Sequence, residues 1–191
     1  MIFGIVVEGD YDSSVYSAFI QRIRPDVDRV LARPCDGVAG LRKRFVGWLK
    51  DFQWQSGYQV GKALVIRDSD RGESGALEDE LARILKDKGF RATFPVHFYA
   101  TRCVVETWLL ADEEAVNKVA HDRDKPGSAK RIADPLEVKQ NAKDLFRAML
   151  SQVQLPADPM VYGEVARAAR IELIRQRCPY FQRFVDYVHA C

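Results

Sequence analysis

Residues 2–7, Ile-Phe-Gly-Ile-Val-Val, form a continuous apolar run that stops at Glu8-Gly9-Asp10-Tyr11-Asp12. Residues 62–67, Lys-Ala-Leu-Val-Ile-Arg, stop in the same way at Asp68-Ser69-Asp70. Runs this short and this rich in β-branched residues suit strands covered on both faces, as in the middle of a parallel sheet. Amphipathic stretches at helical spacing follow each of them. Val15, Phe19, Ile20 and Ile23 lie on one face before Pro25, and Leu77, Leu81, Ile84 and Leu85 do the same before Gly89. Residues 38–52 carry a third such stripe, Leu41, Phe45, Trp48, Leu49 and Phe52. With further strands expected at 27–33 and 93–99, and a helix at 104–119, the alternation predicts an α/β fold. Its sheet is mostly parallel, with helices on both faces.

After residue 120 the strand signals cease. Residues 121–133 are polar and charged around Pro126-Gly127-Ser128, which reads as a mobile loop. Helical patterns then cover residues 136–153, 161–177 and 179–189. The expected organisation is a core of residues 1–120, with residues 121–191 as a charged loop and helical C-terminal flank on that core, one domain overall. At 47% hydrophobic, 191 residues suffice to bury a full core. No apolar run approaches the length needed to cross a bilayer, and no secretory leader is visible at the N-terminus. The four cysteines, Cys35, Cys103, Cys178 and Cys191, form no CxxC pair, which argues against structural zinc and a disulfide framework. A cytoplasmic, reduced protein is expected. The formal net charge of +2 speaks against a polybasic mode of nucleic-acid binding, while leaving local basic faces open.

The chemistry lies in the acids. Ligands of an open parallel sheet collect outside the carboxyl ends of its strands. Glu8 ends the first strand, Asp68 and Asp70 end a central one, and Glu106 opens the helix after a third. Asp12 stands one helical turn beyond Glu8. Five carboxylates converging there, without lysine or arginine partners, would repel one another, and a hard divalent cation relieves that repulsion. Magnesium takes such oxygen ligands and keeps waters for substrate phosphates.

Glu8-Gly9-x-x-Asp12 after one apolar strand and Asp68-x-Asp70 after a second resemble the Toprim pattern. Toprim domains occur in topoisomerases, bacterial primases, recombination-repair proteins and nucleases of the overcoming-lysogenization-defect (OLD) type. Val7-Glu8-Gly9, Ile66-Arg67-Asp68-Ser69-Asp70, Val105-Glu106-Thr107-Trp108-Leu109-Leu110-Ala111-Asp112 and Asp134-Pro135-x-Glu137-x-Lys139 are most similar to small Toprim-like bacterial proteins related to that nuclease branch. The resemblance covers most of the chain. It implies a Toprim-like fold and magnesium, with manganese as a substitute, held by Glu8, Asp12, Asp68, Asp70 and Glu106. Glu8 has an added role in acid/base chemistry, and Lys139 is the candidate for a lysine that steadies the scissile phosphate. It further implies hydrolysis of phosphodiester bonds in DNA or RNA, in phage defence or DNA repair. The alternative is a non-catalytic metal- or nucleic-acid-binding module working with a partner ATPase. Small-molecule phosphohydrolysis is a third reading, and topoisomerase activity is not expected.

Each acid also has a plainer reading. Asp12 and Asp70 precede helical segments and suit helix caps. Glu106 suits the positive end of a helix dipole. Asp112 would cap or solvate, and Arg67 and Arg71 would pair either with phosphate or with a nearby carboxylate. Lys139 would be a solvated helix lysine. Arg167, Arg170, Arg175 and Arg177 would form either a phosphate-tracking face or a solvated one.

Overall fold

The computed structural model describes residues 1–54, 59–69, 74–138 and 141–190. Its sheet has four parallel strands, β1 (Ile2–Val7), β2 (Arg29–Pro34), β3 (Val60–Asp68) and β4 (Val96–Thr101), in the order β2-β1-β3-β4. The chain first adds β2 on one side of β1, then crosses back to lay β3 on the other. The carboxyl ends of β1 and β3 therefore flank the topological switch point, where the loops after the two strands part and leave a crevice.

The period-2 alternation of the inner strands sorts their side chains onto two cores. Phe3, Ile5, Val7, Leu64 and Ile66 face one side, while Val6, Ala63 and Val65 face the other. On the second side lie α2 (Gly37–Trp54) and α3 (Ser74–Asp87), which contribute Leu41, Phe45, Leu49, Phe52 and Leu81. Gly4 leaves room for the Phe52 ring, since a Cβ there would stand 2.8 Å from it. The first side carries α1 (Asp10–Ile23) and every described helix after β4. These are α4 (Glu106–Leu109), α5 (Glu113–Asp122), α6 (Ala142–Gln152), α7 (Pro159–Ala168), α8 (Ile171–Arg177) and α9 (Phe181–His189). Trp108 is buried at the centre of that side, with its ring 4.8 Å from Phe181, 5.4 Å from Phe184 and 5.8 Å from Tyr16. None of the described helices is long and apolar enough to cross a membrane.

The α/β architecture with a helical C-terminal third is the one expected, but several boundaries move. The strand expected at 93–99 is β4, displaced to follow Pro95, whose carbonyl accepts from Ala63 N–H. The helix expected over 104–119 is two helices, α4 and α5, and that over 161–177 is also two, α7 and α8. The breaks meet each other. Asp112, fully buried, accepts from the backbone N–H of Arg170 at 2.6 Å and pairs with its guanidinium at 2.5 Å. Residues 112 and 170 thus leave helical geometry to make one bond network, a tertiary constraint that periodicity does not register.

The helix expected from 136 starts only at Ala142, because Asp134 turns the chain by accepting Leu136 N–H at 2.8 Å. The stretch expected as a mobile loop is helical as far as Asp122, and its remainder is tied down. Ala129 N–H donates to Asn117 and Lys130 N–H to Gln152.

Candidate metal centre

The crevice is built from backbone outward. Glu8 leaves β1 and its carbonyl accepts Gly37 N–H at 2.8 Å and Cys35 N–H at 3.4 Å, which anchors the loop after β2. That loop is tight, since a Cβ on Gly40 would run into the Cys35 carbonyl. Gly9 is the N-cap of α1 in extended geometry, and its N–H donates to Asp12 Oδ2 at 3.0 Å. Asp12 is therefore not the N-cap considered for it: α1 starts before it, and from the third helical position its side chain reaches back to the N-cap Gly9, which engages one of its two carboxylate oxygens. Glu8 Oε1 accepts the N–H of Asp68 at 3.1 Å. Asp68 lies opposite Thr101 in the β3–β4 register, and Ser69 N–H donates to the Thr101 carbonyl at 2.9 Å. From Thr101 the chain turns through Cys103, whose carbonyl accepts the Thr101 hydroxyl at 2.7 Å, and reaches Glu106. Glu106 is 4% exposed, and its Oε2 is buried with no hydrogen-bond partner among the described residues. It stands in the first turn of α4, as the helix-dipole reading has it, and is buried there as well.

These side chains act on one another's charge. Burial first, and then Glu106, push Asp12 up to about 6, against Lys143 and the Gly9 N–H. Asp68 rises well above the usual aspartate range through burial and the fields of Asp12, Glu8 and Glu106, again opposed by Lys143. Glu106 is raised by burial, while its own backbone N–H, Lys143 and Arg147 work the other way. The buried phenol of Tyr16 feels Asp68, Asp12 and Glu106 as well. Glu8, Asp12, Asp68 and Glu106 therefore lie within one another's field at the carboxyl end of the sheet. Asp70, Arg71 and Lys139 lie outside the described residues.

The expectation that no cation accompanies the acids needs correction. Lys143 and Arg147, one turn apart on α6, act on this cluster. Their spacing was legible in the sequence. Their direction was not, because it follows from how Ala142, Phe146 and Met149 bury the opposite face.

Other expected candidates have structural tasks. Arg67 pairs with Glu80 at 2.9 Å. Arg170 is bound to Asp112, Arg175 pairs with Glu172 at 2.9 Å, and Arg177 donates to the Ala111 carbonyl at 2.6 Å. Arg170, Arg175 and Arg177 are therefore engaged within the chain, while Arg167 is exposed.

The donor set suits a hard divalent cation. It consists of oxygens, it holds mutually repelling carboxylates, and it includes an orphaned buried carboxylate oxygen that is costly to leave unsatisfied. Among the described residues, no three His, Cys, Asp or Glu side chains are grouped so that they could hold a metal ion between them.

No family model and no curated protein matches the chain. Among solved structures it is similar to the C-terminal region of the Xanthomonas campestris pv. campestris OLD protein. One structure of that region is 12% identical with a TM-score of 0.43, covering 98% of both chains. A second is 13% identical with a TM-score of 0.46, covering 98% of this chain and 97% of the other. The C-terminal region of the Burkholderia pseudomallei OLD protein is 15% identical with a TM-score of 0.41, covering 96% of this chain and 98% of that one. These are structures of the group that the strand-end motifs resemble.

Proposed function

We propose that the chain is a magnesium-dependent nuclease that hydrolyses phosphodiester bonds in DNA or RNA. The observation that carries this reading is the carboxylate crevice. Glu8, Asp12, Asp68 and Glu106 come from three segments to the switch point of the sheet, their charges opposed by a lysine from a fourth. In this reading Glu8, Asp12, Asp68, Asp70 and Glu106 hold Mg²⁺ or, in its place, Mn²⁺. A bound ion supplies an activated water and neutralises charge building on the phosphate. Glu8, hydrogen-bonded to the end of β3, fixes the spacing of the two motif strands and is placed to move a proton. Lys143 contacts the phosphate being cleaved, a task for which the motif also offers Lys139. The proposed setting is phage defence or DNA repair, with an ATPase as a possible partner.

The test is cleavage of labelled single-stranded and duplex DNA and RNA with Mg²⁺ or Mn²⁺, beside Asp68→Ala. Cleavage that needs the metal and is lost in the variant supports the reading. Metal binding that Asp68→Asn removes, with no cleavage even when the ATPase is present, supports the binding module instead.

A further inference from the structure

The carboxyl end of β4 carries a second feature that the acidic site does not use. Tyr180 is one of few large apolar side chains left exposed, at 38%. It is held from below. Cys178 N–H donates to the Ile174 carbonyl at 2.7 Å, Phe181 N–H to the Cys178 carbonyl at 2.8 Å, and Phe181 is buried against Trp108 and Phe19. Tyr180 therefore stands at the head of α9 on a fixed pedestal.

The guanidinium of Arg102 lies 4.4 Å from the centre of its ring. Arg102 is exposed and has no carboxylate partner among the described residues, unlike Arg67, Arg123, Arg170, Arg177 and Arg183. It directly follows Thr101, the register partner of Asp68, and precedes Glu106 by four residues. A cation stacked on a fixed exposed ring thus sits just past the carboxyl end of β4, the strand paired with β3 and its Asp68.

We propose that Arg102 and Tyr180 form a stacking platform for an unpaired nucleotide next to the phosphate bound in the crevice, so that the substrate is single-stranded at that point. The proposal rests on the phosphodiesterase reading for the position of that phosphate. Guanidinium planes and aromatic rings both accept a base face, and the N–H edges of the guanidinium remain free for phosphate. Bases offer that face only where they are unstacked, so continuous duplex does not engage the pair.

The test is fluorescence anisotropy in EDTA, where cleavage plays no part. The probes are oligothymidylate of about fifteen nucleotides, a length near one single-strand site, an abasic strand of equal length, and the matching duplex. The protein is expected to bind oligothymidylate more tightly than the abasic strand or the duplex. Tyr180→Ala weakens binding to oligothymidylate by about fivefold or more, as expected for one lost base stack, and leaves the abasic strand unchanged, which also reports an intact fold. Tyr180→Phe retains the affinity, and Arg102→Ala weakens both strands. Equal binding of oligothymidylate and abasic strand, or Tyr180→Ala binding oligothymidylate like the parent, overturns the platform. Loss of stacking in Tyr180→Ala together with absent metal-dependent cleavage overturns the nuclease reading alone.

Discussion

The backbone N–H of Asp68 donates to the side chain of Glu8 at 3.1 Å, joining the ends of β1 and β3 across the switch point. An acid that ends a buried strand thus has a structural task as well as a proposed chemical one, and the two separate by mutation. Glu8→Gln keeps an oxygen acceptor for Asp68 and removes a charge that acts on it, so its urea unfolding midpoint is no lower than the parent's while metal-dependent cleavage is lost. Glu8→Ala leaves the Asp68 N–H without that acceptor and costs about 1–2 kcal/mol in addition. Equal stability losses in the two variants would contradict this division.

The crevice is a source of instability when no ion is bound. Asp12 is raised to about 6, and Asp68 and Glu106 are raised as well. A carboxyl group whose folded pKa lies above its unfolded one binds more protons when folded, so stability falls as pH rises. For Asp12 the loss runs from about pH 4 to about pH 6 and is complete above that. In EDTA at neutral pH, Asp68→Asn is therefore expected to raise the melting temperature by roughly 2–4 °C, equivalent to about 1 kcal/mol in a chain of this size. The same variant loses the further rise that Mg²⁺ gives the parent. Thermal melts over pH 4–8 with and without Mg²⁺ check both statements.

Asp112 and Arg170 make an unequal pair. The Asp112 side chain is fully buried, whereas that of Arg170 is 56% exposed. Arg170→Ala strands a buried carboxylate with a backbone N–H as its remaining contact from residue 170, and costs about 3–5 kcal/mol. Asp112→Ala removes the buried charge itself and leaves mainly one unsatisfied N–H, costing about 1–3 kcal/mol. Urea denaturation of the two variants is expected to rank them in that order.

Lys143 offsets the charge of Asp12, Asp68 and Glu106. Lys143→Ala is expected to lower the metal-dependent cleavage rate by about 100-fold, the scale for losing one preorganised group at the reacting phosphate. It also lowers stability in EDTA at neutral pH, because the acids lose a compensating cation. Steady-state cleavage and thermal melts together check the assignment. A cleavage rate equal to the parent's would return the role to Lys139.

The strand-end acids were legible because a buried strand has a period and an abrupt end, both written locally. Glu8 and Asp68 fall where that pattern places them. The splits at Asp112 and Arg170 were not legible, since each segment looks helical alone and breaks only because residues 58 apart bond to each other. The direction of Lys143 is equally non-local, being set by packing of the far side of α6. Asp12 shows a mixed case. Its position was expected for either an N-cap or a ligand, and the structure makes Gly9 the N-cap, with Asp12 one turn inside α1 bonding back to it.

The central claim is that this crevice binds divalent metal. The most direct measurement is anomalous diffraction from crystals soaked in Mn²⁺. A peak is expected about 2–2.5 Å from a carboxylate oxygen of Asp68, the range for a hard ion on oxygen ligands, shared with at least one of Glu8, Asp12 and Glu106. Crystals at saturating Mn²⁺ with peaks only elsewhere on the surface would contradict it.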